Sequence, residues 1–191
     1  MKTQNIIEKV REIVKKEHES EDFKYHISVV VKNALKLAEI KKANKEIVEL
    51  GALLHDIGRT HGLKPGEINE HHLKSYEISK KILQELNYLK DKSEKVLKCI
   101  LSHRGNNDDY PPESLEEKIV ANADAMAHFD SFLDLFKEFI QQEKFDKAIE
   151  LIESKIDRDW NKKLTLPEAR KISKEKYNAI KLLLKSIKSL E

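Results

Sequence analysis

A histidine and an aspartate stand side by side in Leu53-Leu54-His55-Asp56-Ile57-Gly58-Arg59, where an apolar run (Val48, Leu50, Ala52, Leu53, Leu54) meets a glycine. The run reads as a buried helix, which carries His55 and Asp56 to the end of a core element. Burying two polar groups is costly unless each finds a partner. A divalent cation satisfies both, because imidazole and carboxylate are its usual ligands. Adjacent helical side chains diverge by roughly 100°, so the pair grips an ion without enclosing it, and further ligands must come from elsewhere. His26 falls on or beside the buried stripe of a helix carrying Phe23, Val29, Val30, Ala34, Leu37 and Ala38. Asp124 lies in Ile119-Val120-Ala121-Asn122-Ala123-Asp124-Ala125-Met126, where an unpaired carboxylate is expensive and a mid-helix aspartate is poor on propensity. Two imidazoles and two carboxylates from three helices make a nitrogen–oxygen site suited to Mn, Fe, Ni, Zn or Mg.

The elements that position these residues read as helices throughout. Thr3–Glu17 shows an apolar face of Ile6, Ile7, Val10, Ile13 and Val14, with Thr3 as N-cap. A second helix begins near Ser20 or Asp22. Asn44 caps a third, which ends at the His-Asp pair, and Gly58, Gly62, Pro65 and Gly66 then mark a loop. Asn69 caps a fourth helix with His71 and His72 in its first turn, and a fifth runs from near Asp91 to His103. Asn106–Pro112 is a polar loop. Ser114 with Glu117, and Thr165 with Glu168, form capping boxes. Between them lie helical patterns over Phe132–Gln142 and Phe145–Trp160, and Pro167 sits in a first turn, where proline is tolerated. With no period-2 strand, repeat or Ser/Gly linker, the expected fold is an all-α compact bundle of about eight or nine helices. The domain expected is 1–191, with a motif-bearing core at about 22–130 and helices over 131–191 packed on it.

Composition narrows the function classes. Among 191 residues, 37% are charged, yet the net charge is +2, so global electrostatics do not favour a nucleic-acid partner and there is no basic stripe. Cys99 is the only cysteine, which rules out an intrachain disulfide and reads as a small core residue. The start, Met1-Lys2-Thr3-Gln4, runs straight into an amphipathic helix and shows no signal peptide. No apolar run reaches about 18 residues, so no membrane span or membrane partner is expected, and the expected location is cytoplasmic.

The order His26, then His55-Asp56, then a distant Asp124 on successive helices resembles the HD superfamily of metal-dependent phosphohydrolases. The flanks agree: Leu-Leu-His-Asp-Ile-Gly at 53–58, then Leu115–Val120 leading into Ala123-Asp124-Ala125. Trp160-Asn161-Lys162-Lys163-Leu164 before a long helix is also similar to the tail of small members. The resemblance implies that His26, His55, Asp56 and Asp124 bind a metal. It further implies that His71 (His72 as runner-up) and His103 serve a second ion, with Asp56 bridging. His103 is followed by Arg104-Gly105, without the His-plus-Gly-Tyr-Pro signature of the cyclic-dinucleotide branch, which argues against that substrate.

The implied chemistry is hydrolysis of phosphate esters of a nucleotide or similar small phosphorylated molecule. Metal binding lowers the pKa of water from about 15.7 toward 7, and two ions about 3.5–4 Å apart support in-line attack by the resulting hydroxide. One or two ions are implied. Asp56, His55 and Arg59 are the catalytic candidates; Arg59, Lys74 and Arg104 are candidates for binding the phosphate, and His61 lies near enough to assist. His18, His61 and His128 otherwise read as surface or local-packing residues, with His128 close to Asp124. The competing reading is a nucleotide-binding regulatory module that keeps the metal and has no turnover. A third is a helical module stapled by one ion. Oligomeric state is left open.

Overall fold

The computed structural model describes residues 3–60, 70–105 and 108–188, and every helix expected from the sequence within those spans is present. Helix α1 spans Thr3–Glu17; a short α2, Ser20–Asp22, passes through a π-helical turn, Phe23–Ile27, into α3, Ser28–Lys41. Helix α4 spans Lys45–Leu54 and is followed by a 3-10 turn, Ile57–Thr60. Then come α5 (His71–Glu85), α6 (Lys90–Ser102), α7 (Leu115–Asp130), α8 (Phe132–Gln142) and α9 (Phe145–Arg158). A second π-helical turn, Asp159–Lys163, leads to α10, Pro167–Lys188. The described residues contain no strand.

Helix α4 is the centre of the bundle. Ile47, Val48 and the whole run Leu50–Leu54 are buried, so its last turns are apolar on every side, while Glu46 and Glu49 of its first turns pair with Lys92 and Arg11. It packs on α1, α3, α6 and α7. Its start is fixed by Asn44, whose side chain accepts from the Ile47 amide at 3.3 Å. Just before it, α3 ends on Lys42 in the left-handed conformation, φ 56°, while the Ala43 amide donates to the Ala38 carbonyl at 2.9 Å. At Gly51 an added Cβ would lie 2.9 Å from Cys99 Cβ, so glycine sets how closely α4 meets α6. Cys99 is buried in that contact.

Helix α7 packs against α3, α4, α6 and α10, and its buried small residues Ala121, Ala123, Ala125 and Ala127 lie on more than one side of it, letting several neighbours approach. Ser114 caps it by accepting from the Glu117 amide at 3.3 Å, while the Glu117 carboxylate reaches back to the Glu113 amide at 3.0 Å. The second expected box forms differently. The Thr165 hydroxyl accepts from Asn122 Nδ2 at 3.0 Å, and Glu168 pairs with Lys41 at 2.9 Å, so these side chains tie α10 to α7 and α3. Asn69 and the glycine loop after Thr60 lie outside the described residues. The continuous helix expected over Phe145–Trp160 ends at Arg158 and widens into the π-helical turn, which Trp160 pins by stacking on Tyr177 of α10 at 4.4 Å between ring centroids.

Candidate metal centre

His55 and Asp56 leave the end of α4 as expected, and His26 meets them from the π-helical turn before α3. That turn offsets the ring from the 3.6-residue stripe of α3; π-turns recur where helices carry function. Asp124 arrives from the middle of α7, His71 from the first turn of α5 and His103 from the end of α6. All six converge. His26 Nε2 lies 3.3 Å from His55 Nε2, 3.4 Å from Asp56 Oδ2 and 3.6 Å from Asp124 Oδ1. On the other side of Asp56, His71 Nε2 and His103 Nε2 lie 3.3 and 3.4 Å from Oδ1 and 3.0 Å from each other.

Gly58 makes the approach of His71 possible. A Cβ there would stand 2.6 Å from both the His71 carbonyl oxygen and the Ser75 amide nitrogen, so only glycine lets the 3-10 turn seat against α5. The Gly58 amide donates to Ser75 Oγ at 2.9 Å and locks the contact. His72 turns elsewhere and packs edge-on against Tyr110, 5.6 Å between ring centroids.

Proton positions follow from the partners. His55 Nδ1 lies 2.8 Å from the Ala52 carbonyl and His103 Nδ1 lies 2.7 Å from the Ile100 carbonyl. A carbonyl only accepts, so each Nδ1 holds a proton and Nε2 is the nitrogen each ring turns inward. Burial pushes the His55 imidazole down to about 3, with His103 and His26 adding to the effect against the pull of Asp56, so it is neutral at ordinary pH. Burial alone would raise Asp56, but Arg59 and His55 hold it well below the usual carboxylate range. Asp124 likewise stays ionised, burial being overcome by Lys163 and His128. Asp56 Oδ1 is buried and accepts no hydrogen bond from the described residues. Lone pairs crowded at about 3 Å around an unsatisfied carboxylate oxygen fit a divalent cation on both donor type and spacing. Two trios qualify around Asp56: His26, His55 and Asp56, and Asp56, His71 and His103.

A third trio joins His26 and Asp124 to His128, which the sequence had suggested was a surface or packing residue. Its Nε2 lies 3.9 Å from Asp124 Oδ1, and its Nδ1 bonds Asp159 Oδ2 at 2.8 Å. Its i,i+4 spacing from Asp124 was the available signal. Burial and Lys155 push His128 down to about 4 against the pull of Asp159 and Asp124. Asp159, Lys155, Arg158 and Lys163 were not among the expected site residues: the first three fell in the helical pattern over Phe145–Trp160, and Lys163 in the Trp160–Leu164 stretch noted only for its resemblance. Asp159 is fully buried, and Lys163 Nζ lies 2.5 Å from Asp124 Oδ2. His18 is buried in local packing, paired with Asp22.

A cavity of about 150 Å³ opens on the cluster, lined by Asp56, Arg59, His71, His103, Arg104, Asp124, His128, Lys155, Arg158 and Lys163. Arg59 Nε bonds Asp56 Oδ2 at 3.0 Å. Lys74 is exposed on α5 and does not line this cavity. His61 lies outside the described residues.

The HD domain family model matches residues 23–128. A tRNA (cytidine(56)-2'-O)-methyltransferase of Picrophilus torridus is 32% identical over 136 residues, 64% of this chain and 36% of that protein. An uncharacterised protein of Methanocaldococcus jannaschii is 32% identical over 118 residues, 54% of this chain and 59% of that one. The chain therefore spans between about a third and three fifths of the length of these curated relatives. Among solved structures, an HD-superfamily hydrolase from Bacillus thuringiensis superposes with a TM-score of 0.70 at 20% identity, covering 97% of this chain and 96% of that one. A predicted HD superfamily hydrolase from an uncultured Thermotogales bacterium gives 0.65 at 21% identity, covering 95% and 91%. At such identities the likeness is one of fold. No helix among the described residues is long and apolar enough to cross a membrane.

Proposed function

This chain belongs to the HD domain family, and from that premise we propose that it is a metal-dependent phosphohydrolase acting on a phosphate ester of a nucleotide or similar small molecule. The observation that carries the reading is Asp56, whose two oxygens each face imidazole nitrogens, beside a cavity lined by cationic side chains. His26, His55, Asp56 and Asp124 would hold one divalent ion; Asp56, His71 and His103 would hold a second. Bound there, such ions supply a water of lowered pKa and positive charge for phosphoryl oxygens.

The chain's own residues set up the rest. The Ala52 and Ile100 carbonyls fix the tautomers of His55 and His103, and Asp159 does the same for His128. Arg59 holds Asp56 in register from the rim, and Arg104 lines the same cavity. Guanidinium groups suit the planar, paired contacts that phosphate offers. We read residues 1–191 as one domain, because a single buried cluster runs from Ile6 to Leu184. Methyl transfer is not carried over from the Picrophilus relative, of which this chain matches 36%.

The test combines metal analysis of the purified protein with a panel of nucleotide mono- and diesters in Mn, Co or Ni. Turnover that disappears in Asp56→Asn supports the reading. Metal-loaded protein that binds nucleotides and releases no product would establish the regulatory alternative instead.

A further inference from the structure

His128 repeats, beside Asp124, the two-point arrangement that marks His55 and His103. Each of those rings is held at Nδ1 by an acceptor behind it and turns Nε2 toward a carboxylate oxygen. His128 is held at Nδ1 by Asp159 Oδ2 at 2.8 Å and turns Nε2 toward Asp124 Oδ1 at 3.9 Å. His55 Nε2 stands 3.8 Å and His26 Nε2 3.6 Å from that same oxygen. Three imidazole nitrogens therefore face Oδ1, while Oδ2 is taken by Lys163 Nζ at 2.5 Å. Donors bound to one ion through bonds of about 2.1 Å stand roughly 3–4.2 Å apart, from right-angle to opposite positions, and all three distances fall in that window. His128 lines the cavity, and its Nε2 has no hydrogen-bond partner among the described residues. Behind the ring, Asp159 is fully buried; burial would raise it, but His128 and Lys155 hold it below the usual carboxylate range. A buried charge is an expensive way to seat a packing residue. Behind a ligating imidazole it fixes the ring and strengthens the donor.

We propose that His128 is a further protein ligand of the ion assigned to His26, His55, Asp56 and Asp124, with Asp159 as its buried anchor. This rests on the metal-dependent reading above and deepens it. His26 decides that the ion is the same one. It belongs to both trios, His26 with His55 and Asp56, and His26 with Asp124 and His128, and it faces both carboxylates through Nε2. One ring nitrogen has one lone pair and binds one ion, so the two trios are two sides of a single coordination sphere. Each carboxylate brings one oxygen to it. Asp124 Oδ2 is committed to Lys163, and Asp56 Oδ1 faces His71 and His103. On a six-coordinate ion, three imidazoles and two carboxylate oxygens leave a single open position, where four protein donors would leave two. The π-helical turn Asp159–Lys163, beyond the stretch matched by the family model, thus supports this ion twice: through Asp159 on His128 and through Lys163 on Asp124.

The test reads the metal and not turnover. Zn is titrated into metal-free protein isotopically labelled in its histidine nitrogens. The His128 Nε2 resonance, assigned by through-bond correlation, should move to the position of a coordinated nitrogen together with those of His26 and His55. A His128 resonance that stays while those two move overturns the proposal. This arm uses the parent chain and does not depend on the folding of any variant. In the second arm, His128→Ala should bind Mn at least tenfold more weakly than the parent, by competition with a chromophoric chelator, at unchanged helical circular dichroism. Added imidazole should restore affinity to the variant; pyrrole, of the same size but with no lone pair to give, should not. Recovery with both compounds, or a variant that binds Mn as the parent does, makes His128 a packing residue and overturns the proposal. If no histidine resonance moves, the chain holds no metal here and the metal-dependent reading falls as well. If His128 moves with the others and no phosphate ester is cleaved, the ligand stands and the hydrolytic reading alone falls.

Discussion

His71 Nε2 and His103 Nε2 stand 3.0 Å apart over Asp56 Oδ1, although they come from different helices and lie 32 residues apart in sequence. The His103 Nδ1–H donates to the Ile100 carbonyl, which leaves Nε2 as the nitrogen facing the gap. We expect purified protein reconstituted with Mn to hold two ions per chain and His103→Ala to hold one, counted by elemental analysis. Equal counts in the two proteins would place no ion at this pair.

Asp159 supports the site without entering it, through its 2.8 Å bond to His128 Nδ1. Losing the carboxylate frees the imidazole to rotate and to exchange tautomers. Removing such outer partners typically costs about 10–100-fold in metal affinity or activity. Asp159→Asn should fall in that range while keeping its helical circular dichroism, and competition with a chromophoric chelator measures the affinity.

Gly58→Ala places a methyl group 2.6 Å from two backbone atoms of α5, neither of which can swing aside. Overpacking of this kind costs about 1–3 kcal/mol. In a chain of this size that corresponds to a fall in Tm of several degrees, at about 2–4 °C per kcal/mol. Because α5 is displaced, the variant should also lose the ion assigned to His71. A variant as stable as the parent would show that α5 repacks freely.

Metal-free protein should lose stability as pH falls. His55 and His128 are held down to about 3 and about 4 when folded, against about 6.5 in an unfolded chain. Below about 6.5 the unfolded state therefore binds more protons, and stability drops until the folded values are reached. Asp56 and Asp124, held below the ordinary range despite burial, give stability that is present above about 4 and lost below it. His26 opposes this: burial lowers it, but the carboxylates of Asp56 and Asp124 outweigh that and raise it, so its contribution is lost as pH rises. Two imidazoles against one leave a net fall, read as Tm between pH 8 and pH 4. A flat profile from pH 7 to pH 4.5 would contradict these environments.

The helices and the convergence of His26, His55, Asp56 and Asp124 were legible in the chain because each rests on local rules. Apolar residues repeat at helical spacing, Asn44 and Ser114 announce starts, and a charged or imidazole side chain inside an apolar run demands a partner. His71 and His103 were reachable only by resemblance, since nothing in a one-dimensional pattern separates a histidine facing inward at a helix end from one facing water. Only the tertiary structure placed His128, Asp159, Lys155, Arg158 and Lys163 at the site. The π-helical turn 159–163 departs from the 3.6-residue period by which a helix face is read, and it brings Asp159 to His128 and Lys163 into the cavity. Sequence periodicity determines which faces must be buried; which buried faces meet is set by packing, through contacts as specific as Gly58 against α5.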